Sequence, residues 1–172
     1  SQPTFKLRLH SCWGVFAFAF TLTLGAIMWM KGLSYIWFST MFGVIYFAGS
    51  AWLTLATVYV ITVILDRQNL IREVLHENQY YYLGTLMFAF TVFYTYVAFS
   101  QYFIIWNANM PEETAYYLDR FDGGYRFLFW LTPIVGWLVP FVLLLPRSAK
   151  RSESHVLRVC AVVFVGRWLD IH

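Results

Sequence analysis

Five stretches of the chain are continuously apolar, over approximately residues 10–30, 36–65, 79–107, 125–146 and 154–172, with short polar segments between them. Each approaches or exceeds the roughly 20 residues that a helix needs to cross a hydrocarbon core. None alternates apolar and polar with the period of two that marks a membrane-barrel strand, so each predicts a helix. The expected fold is therefore all-α: a polytopic transmembrane helix bundle of about five spans, one domain over residues 1–172. Runs 36–65 and 79–107 exceed the minimum length and predict tilt or extension beyond the bilayer. In the fourth run Pro133 and Pro140 each remove a backbone donor and predict a bend. Segment 67–78 sets Leu70, Ile71, Val74 and Leu75 against Arg72, Glu73 and Glu77, spacing that predicts an amphipathic surface helix.

Composition strengthens this picture. Hydrophobic residues make up 60% of the 172, aromatic residues 22% and charged residues 12%, against roughly a quarter charged in an ordinary soluble domain. Twelve basic and nine acidic side chains are too few to wet the surface of a soluble domain of this length, whereas a bilayer solvates an apolar exterior. The basic residues are scattered among loops, not gathered in a stripe with interleaved aromatics, which argues against nucleic-acid binding. Cys12 and Cys160 lie in apolar stretches without ligand-like spacing, so neither zinc, a disulfide nor covalently attached haem is expected. The first apolar run is too long for a signal-peptide core and reads as a mature span. The start at Ser1 and the stop at His172 suggest a piece of a longer protein.

Charge on alternate sides of the spans sets the expected orientation. One side collects Lys6, Arg8, Arg67, Arg72, Arg147, Lys150, Arg151 and Arg158; the other holds Lys31, Arg120, Arg126 and Arg167. The positive-inside rule then puts the N-terminus in the cytoplasm, and the Asn107–Tyr125 connection on the opposite face. Glu112 and Glu113 follow Pro111 there, where they would open a short helix and offer a partner contact. Aromatic residues at the boundaries, Trp13 and Tyr80–Tyr82 on one side and Trp29, Trp37, Trp106 and Trp130 on the other, agree with these depths.

Small and polar residues recur on single helix faces. In the second span they are Ser39, Gly43, Tyr46, Ser50, Thr54 and Thr57, a predicted packing seam. His10, Gly14, Ala17, Thr21 and Gly25 repeat the device in the first span, and Gly84, Thr91, Thr95, Ala98 and Tyr102 in the third. A sharper reading takes Tyr94, Tyr96, Ser100 and Gln101 as a file of hydrogen bonds for protons. Intramembrane charge usually points to function. Arg167 and Asp170 are the pair placed for it, three positions apart toward the far end of the last span, where an ion pair and a proton-handling group are alternative roles. The candidate proton path is thus Tyr94, Tyr96, Ser100, Gln101, Arg167 and Asp170, with no catalytic residue and no metal ligand assigned. His10, His76, His155 and His172 all fall near interfaces, which argues against a bis-histidine haem within the chain.

Three stretches are more distinctive: Trp37-Phe-Ser-Thr-Met-Phe-Gly-Val-Ile-Tyr-Phe-Ala-Gly49, Ala98-Phe-Ser-Gln-Tyr-Phe-Ile-Ile-Trp-Asn-Ala-Asn-Met-Pro-Glu-Glu-Thr114 and Trp168-Leu-Asp170. Together they resemble the C-terminal half of the quinone-binding subunit 2 of bacterial alternative complex III, a quinol:cytochrome c oxidoreductase. That subunit is related to the membrane anchors of polysulfide and nitrite reductases. The resemblance implies the second bundle of a ten-helix subunit in the bacterial inner membrane. Implied partners are a homologous membrane subunit, an iron–sulfur subunit, and multihaem and monohaem cytochromes c. It implies no cofactor bound by this fragment, with quinol, c-type haems and iron–sulfur clusters elsewhere in the complex and structural lipids around it. The implied role is a non-catalytic subunit that supports quinol oxidation and periplasmic cytochrome c reduction, as scaffold and in proton translocation. Arg167 departs from the family, which often carries histidine at that position. Composition alone also admits a transporter unrelated to quinol chemistry, or a pure scaffold.

Overall fold

A computed structural model describes residues 2–30, 39, 41–71, 77–122 and 126–171. Lys31, Trp37, residues 72–76 of the predicted surface helix 67–78 (Arg72 and His76 among them), His172, and the side chains of Glu112 and Arg120 lie outside that description. Helix α1 (Gln2–Gly25) runs on as a π-helical turn, Ala26–Met30. Then come α2 (Phe42–Arg67), α3 (Glu77–Ala108) and α4 (Pro111–Asp122). After α5 (Arg126–Pro133) a second π-helical turn, Ile134–Leu138, leads into α6 (Val139–Leu144), α7 (Arg147–Arg151) and α8 (Glu153–Ile171). No strand occurs among the described residues, and the fold is an all-α bundle.

Four helical runs are long and apolar enough to cross a membrane: Thr4–Trp29, Phe42–Arg67, Asn78–Ala108 and Arg126–Leu144. The expected fifth span, residues 154–172, is helical as α8 but does not join them. Arg158, Arg167 and Asp170 make it too charged to qualify on composition. One face of it enters the core, where Val156, Val159, Cys160 and Val163 are fully buried, while Phe164, Val165 and Trp168 are exposed.

The core forms where α2, α3, α6 and α8 meet. Trp52, Ala56, Tyr59 and Val63 of α2, three and four positions apart, pack with Met87, Leu144 and the valines of α8. The outside is the reverse of a soluble protein's: Phe5, Trp13, Phe16, Trp106 and Phe127 are all at least two-thirds exposed. Apolar rings on that scale are unfavourable in water by roughly 25 cal/mol per Å² and are at ease against acyl chains. The protein is therefore membrane-embedded.

Local chemistry accounts for the breaks. Asn69 and Asn109 adopt positive φ, 59° and 47°, at the ends of α2 and α3, the left-handed conformation that asparagine tolerates and that closes helices. Leu70 donates to Leu65 O at 3.1 Å and Asn109 to Ile105 O at 3.0 Å, capturing carbonyls that would otherwise end unpaired. In the fourth span Pro140 has no N–H to give, and the helix widens just before it: Val139 N–H reaches back five residues to Ile134 O. This is the expected proline distortion, taken up as a π turn.

That turn lets α8 approach closely. A Cβ on Gly166 would lie 2.7 Å from Gly136 Cα and 3.3 Å from Gly136 N. Backbone cannot yield as a flexible side chain can. Gly166→Ala is expected to lower stability by about 1–3 kcal/mol. Gly14→Ala, where a Cβ meets nothing within 4 Å, is expected to be neutral or stabilising by up to about 1 kcal/mol. Thermal unfolding followed by circular dichroism in one detergent compares the two.

Candidate functional site

Three groups from two helices converge beside α2. Tyr94 Oη donates to Asp170 Oδ2 at 2.6 Å, and Arg167 Nη1 donates to Tyr94 Oη at 3.1 Å. Arg167 Nη1 also forms an ion pair with Asp170 Oδ2, one helical turn further along α8. The carboxylate oxygen thus accepts a hydroxyl and a guanidinium at once, while the hydroxyl both gives and receives. Such charge-assisted bonds are stronger than neutral ones.

The seat for Arg167 is a missing side chain. A Cβ on Gly49 would lie 2.7 Å from the guanidinium carbon and 2.8 Å from both terminal nitrogens. Trp52, one turn along α2, stacks on the Tyr94 ring at 5.6 Å and 21°, and the Arg167 guanidinium lies 5.3 Å from the centre of that ring. Arg167 is 7% exposed, and its Nε is buried without a hydrogen-bond partner, as are Trp52 Nε1 and Tyr59 Oη. Asp170 keeps 32% of its side-chain surface, so the cluster is closed on the arginine side and open on the carboxylate side.

Arg167 and Asp170 sit toward the far end of α8 and meet α3 at Tyr94. That is the end of the last run at which the sequence placed them. Tyr94 is near the middle of Asn78–Ala108, about 24 Å from one end and 21 Å from the other at 1.5 Å per residue. Arg167 lies a matching distance, about 21 Å, from the start of α8. The pair therefore lies level with the middle of the third span. That level could not be read from α8 alone, because only cross-helix packing fixes it.

The other predicted path residues divide by helix face. Gln101, two turns beyond Tyr94, is buried. Tyr96 is 67% exposed, and Ser100 turns its hydroxyl back to the Tyr96 carbonyl at 2.7 Å. The structure brings together Tyr94, Arg167 and Asp170, keeps Gln101 on the inner side, and points Tyr96 outward. Within the predicted α2 seam, Gly43 is buried against Thr23, Ser39, Tyr46, Ser50 and Thr57 are half-buried, and Thr54 is exposed. Thr54 and Thr57 bond their own helix, to Ser50 O at 2.8 Å and Leu53 O at 2.9 Å. The face that does bury is Ala48, Gly49, Trp52, Ala56, Tyr59 and Val63. Glu113 is half-buried on α4, a helix whose Tyr117 seats edge-on against Tyr102 at 5.3 Å and Phe129 at 6.5 Å.

Gly49 and Trp52 were not singled out from the sequence. Their signal is the run of 49, 52, 56, 59 and 63, a three-and-four periodicity of small and aromatic residues on one face. Elsewhere Cys160 lies 4.0 Å from Met87 Sδ in the core and Cys12 is exposed. Among the described residues no three His, Cys, Asp or Glu side chains gather as metal ligands would.

Fold and site together define a membrane-embedded helical bundle with an Arg–Asp–Tyr cluster held between its helices. No protein-family model matches the chain, and no curated protein matches it.

Removing one member of the pair strands the other. Arg167→Met is expected to cost about 2–3 kcal/mol, below the roughly 3–5 kcal/mol typical of fully buried pairs because Asp170 retains some exposure. Arg167→Met combined with Asp170→Asn leaves no charge behind and should cost less than the single change. Unfolding of the two variants in detergent tests the order; a double variant weaker than the single would contradict it.

Proposed function

We propose that this chain is an integral membrane subunit of a quinol:cytochrome c oxidoreductase of the alternative complex III type, in the bacterial inner membrane with its N-terminus cytoplasmic. It supports quinol oxidation coupled to reduction of periplasmic cytochrome c in two ways. Its helices scaffold the complex, and Arg167, Asp170 and Tyr94 handle a proton. The electron carriers belong to its partners: a homologous membrane subunit, an iron–sulfur subunit, and multihaem and monohaem cytochromes c.

The observation that carries the reading is the convergence of an acid, a guanidinium and a phenol between helices of a membrane-embedded bundle, with Tyr94 near the middle of α3; an uncompensated ion in such surroundings costs several kcal/mol. Asp170 is the proton site, Arg167 holds its negative charge in place, and the Tyr94 hydroxyl is the link able to pass a proton on. The three distinctive sequence stretches supply the family. Of these, Ala98–Thr114 covers the outer end of α3 and the start of α4, whose Tyr117 packs the connection onto the bundle and leaves its outer face to a partner.

A transporter unrelated to quinol chemistry is the second reading, favoured by the π-helical turn Ile134–Leu138 that interrupts the fourth span between two prolines. Purification of the intact membrane assembly separates the two. The proposal expects the chain to co-purify with a multihaem cytochrome c and an iron–sulfur protein; recovery without haem proteins rejects it. Asp170→Asn, once assembly is verified, is expected to lower turnover or proton release clearly, whereas a pure scaffold leaves both unchanged.

A further inference from the structure

The corner between α6 and α8 carries a cluster of cations that no carboxylate balances. Arg147 and Arg151 are exposed on α7, and between them Lys150 is 7% exposed. Lys150 Nζ lies 4.5 Å from the centre of the Phe88 ring and the Arg151 guanidinium 5.8 Å from that of Tyr81. Both cations are thus held against aromatic faces of α3. The nearby acid in sequence, Glu153, is already engaged by Arg67, whose Nη2 and Nε reach its Oε1 at 2.7 and 3.0 Å. Among the described side chains none pairs with Arg147, Lys150 or Arg151 as a counter-ion.

Three cations on one helical turn without a carboxylate beside them repel one another, and the rings offset only part of that cost. The missing charge must be an anion small enough to sit between three side chains on one turn. Immediately before them the fourth span presents Ile134, Leu138, Val142 and Leu145, all exposed. These are four, four and three positions apart and so lie on one face. A cationic cap above a continuous apolar track matches one ligand chemistry: a phosphate head with acyl chains below it.

We propose that the α6–α7–α8 corner binds an anionic phospholipid, its headgroup phosphate on Arg147, Lys150 and Arg151 and an acyl chain along the Ile134–Leu145 face. The apolar track is what favours a lipid over free phosphate. The site depends on the chain's being membrane-embedded and not on its belonging to a redox complex, so either can fail without the other.

Native mass spectrometry of the purified assembly tests this, titrated with phosphatidylglycerol and with phosphatidylcholine of the same acyl chains. Wild type is expected to hold phosphatidylglycerol roughly thirtyfold more tightly, the effect of about two effective cations near a membrane surface. Arg147→Gln with Arg151→Gln should abolish that preference. Lys6→Gln with Arg8→Gln, an equal charge change on α1, should keep it. Leu145→Asp, an exposed change that sets an acid under the headgroup, should weaken it independently of the arginines. Equal retention of the two lipids, equal loss in the two charge-matched variants, or displacement of phosphatidylglycerol by an equal concentration of inorganic phosphate would each overturn the proposal.

Discussion

Hydrocarbon offers no hydrogen bonds, so every polar group carried into it must be satisfied within the chain. The structure can be read as a set of answers to that constraint. Thr23, Thr57, Thr85, Thr91, Thr95 and Thr132 each donate to the carbonyl four residues back on the same helix. A threonine so bonded needs nothing from its neighbour. This is why the hydroxyl-rich stripe of α2 is not its main packing face. Where proline removes a donor the helix widens to a π turn, and where helices end in loops asparagine folds the chain back onto its last carbonyls.

Arg167 is the hardest group to satisfy, and the bundle is shaped around it. Three neighbouring features admit it: Gly49 leaves room for the guanidinium, Gly166 lets α8 lie against the π turn, and Tyr94 and Asp170 supply acceptors on the one side that is not closed. The two glycines act on different surfaces. Gly49 makes space for a side chain, whereas Gly166 allows backbone to meet backbone. Chain flexibility is not what either contributes, since each sits inside a helix at ordinary φ.

Four spans were legible from the sequence because hydrophobic length is a direct physical requirement of the bilayer. A local disturbance of the helix between Pro133 and Pro140 was legible too, since a missing N–H has a fixed consequence. Legibility failed where a neighbour decides. The 154–172 run forms the helix its continuity predicts, but which of its faces enters the core is fixed by its neighbours. Arg167 and Asp170 were recognisable as a pair from their spacing, yet their depth depends on which turn of α3 they face. Tyr94 and Tyr96 look equivalent in sequence. Two positions on a helix turn the side chain about 200°, so one joins the cluster and the other is exposed. The spacing of Gly49 and Trp52 marks them as one buried face of α2, but their partners on α8 and α3 are fixed only by packing.

An ion pair within a low-dielectric bundle is a poor source of stability, because taking two charges from water costs about as much as their attraction returns. The neighbouring core makes the point by contrast: Trp52, Ala56, Tyr59, Val159, Cys160 and Val163 bury completely and hold α2 to α8 without ionic help. A bundle held by such a core does not need the ion pair for cohesion, and replacing both partners together by uncharged residues avoids the cost that a single change leaves behind. Cohesion thus comes from the apolar core, and the charged cluster is the part of the bundle whose presence stability alone does not account for.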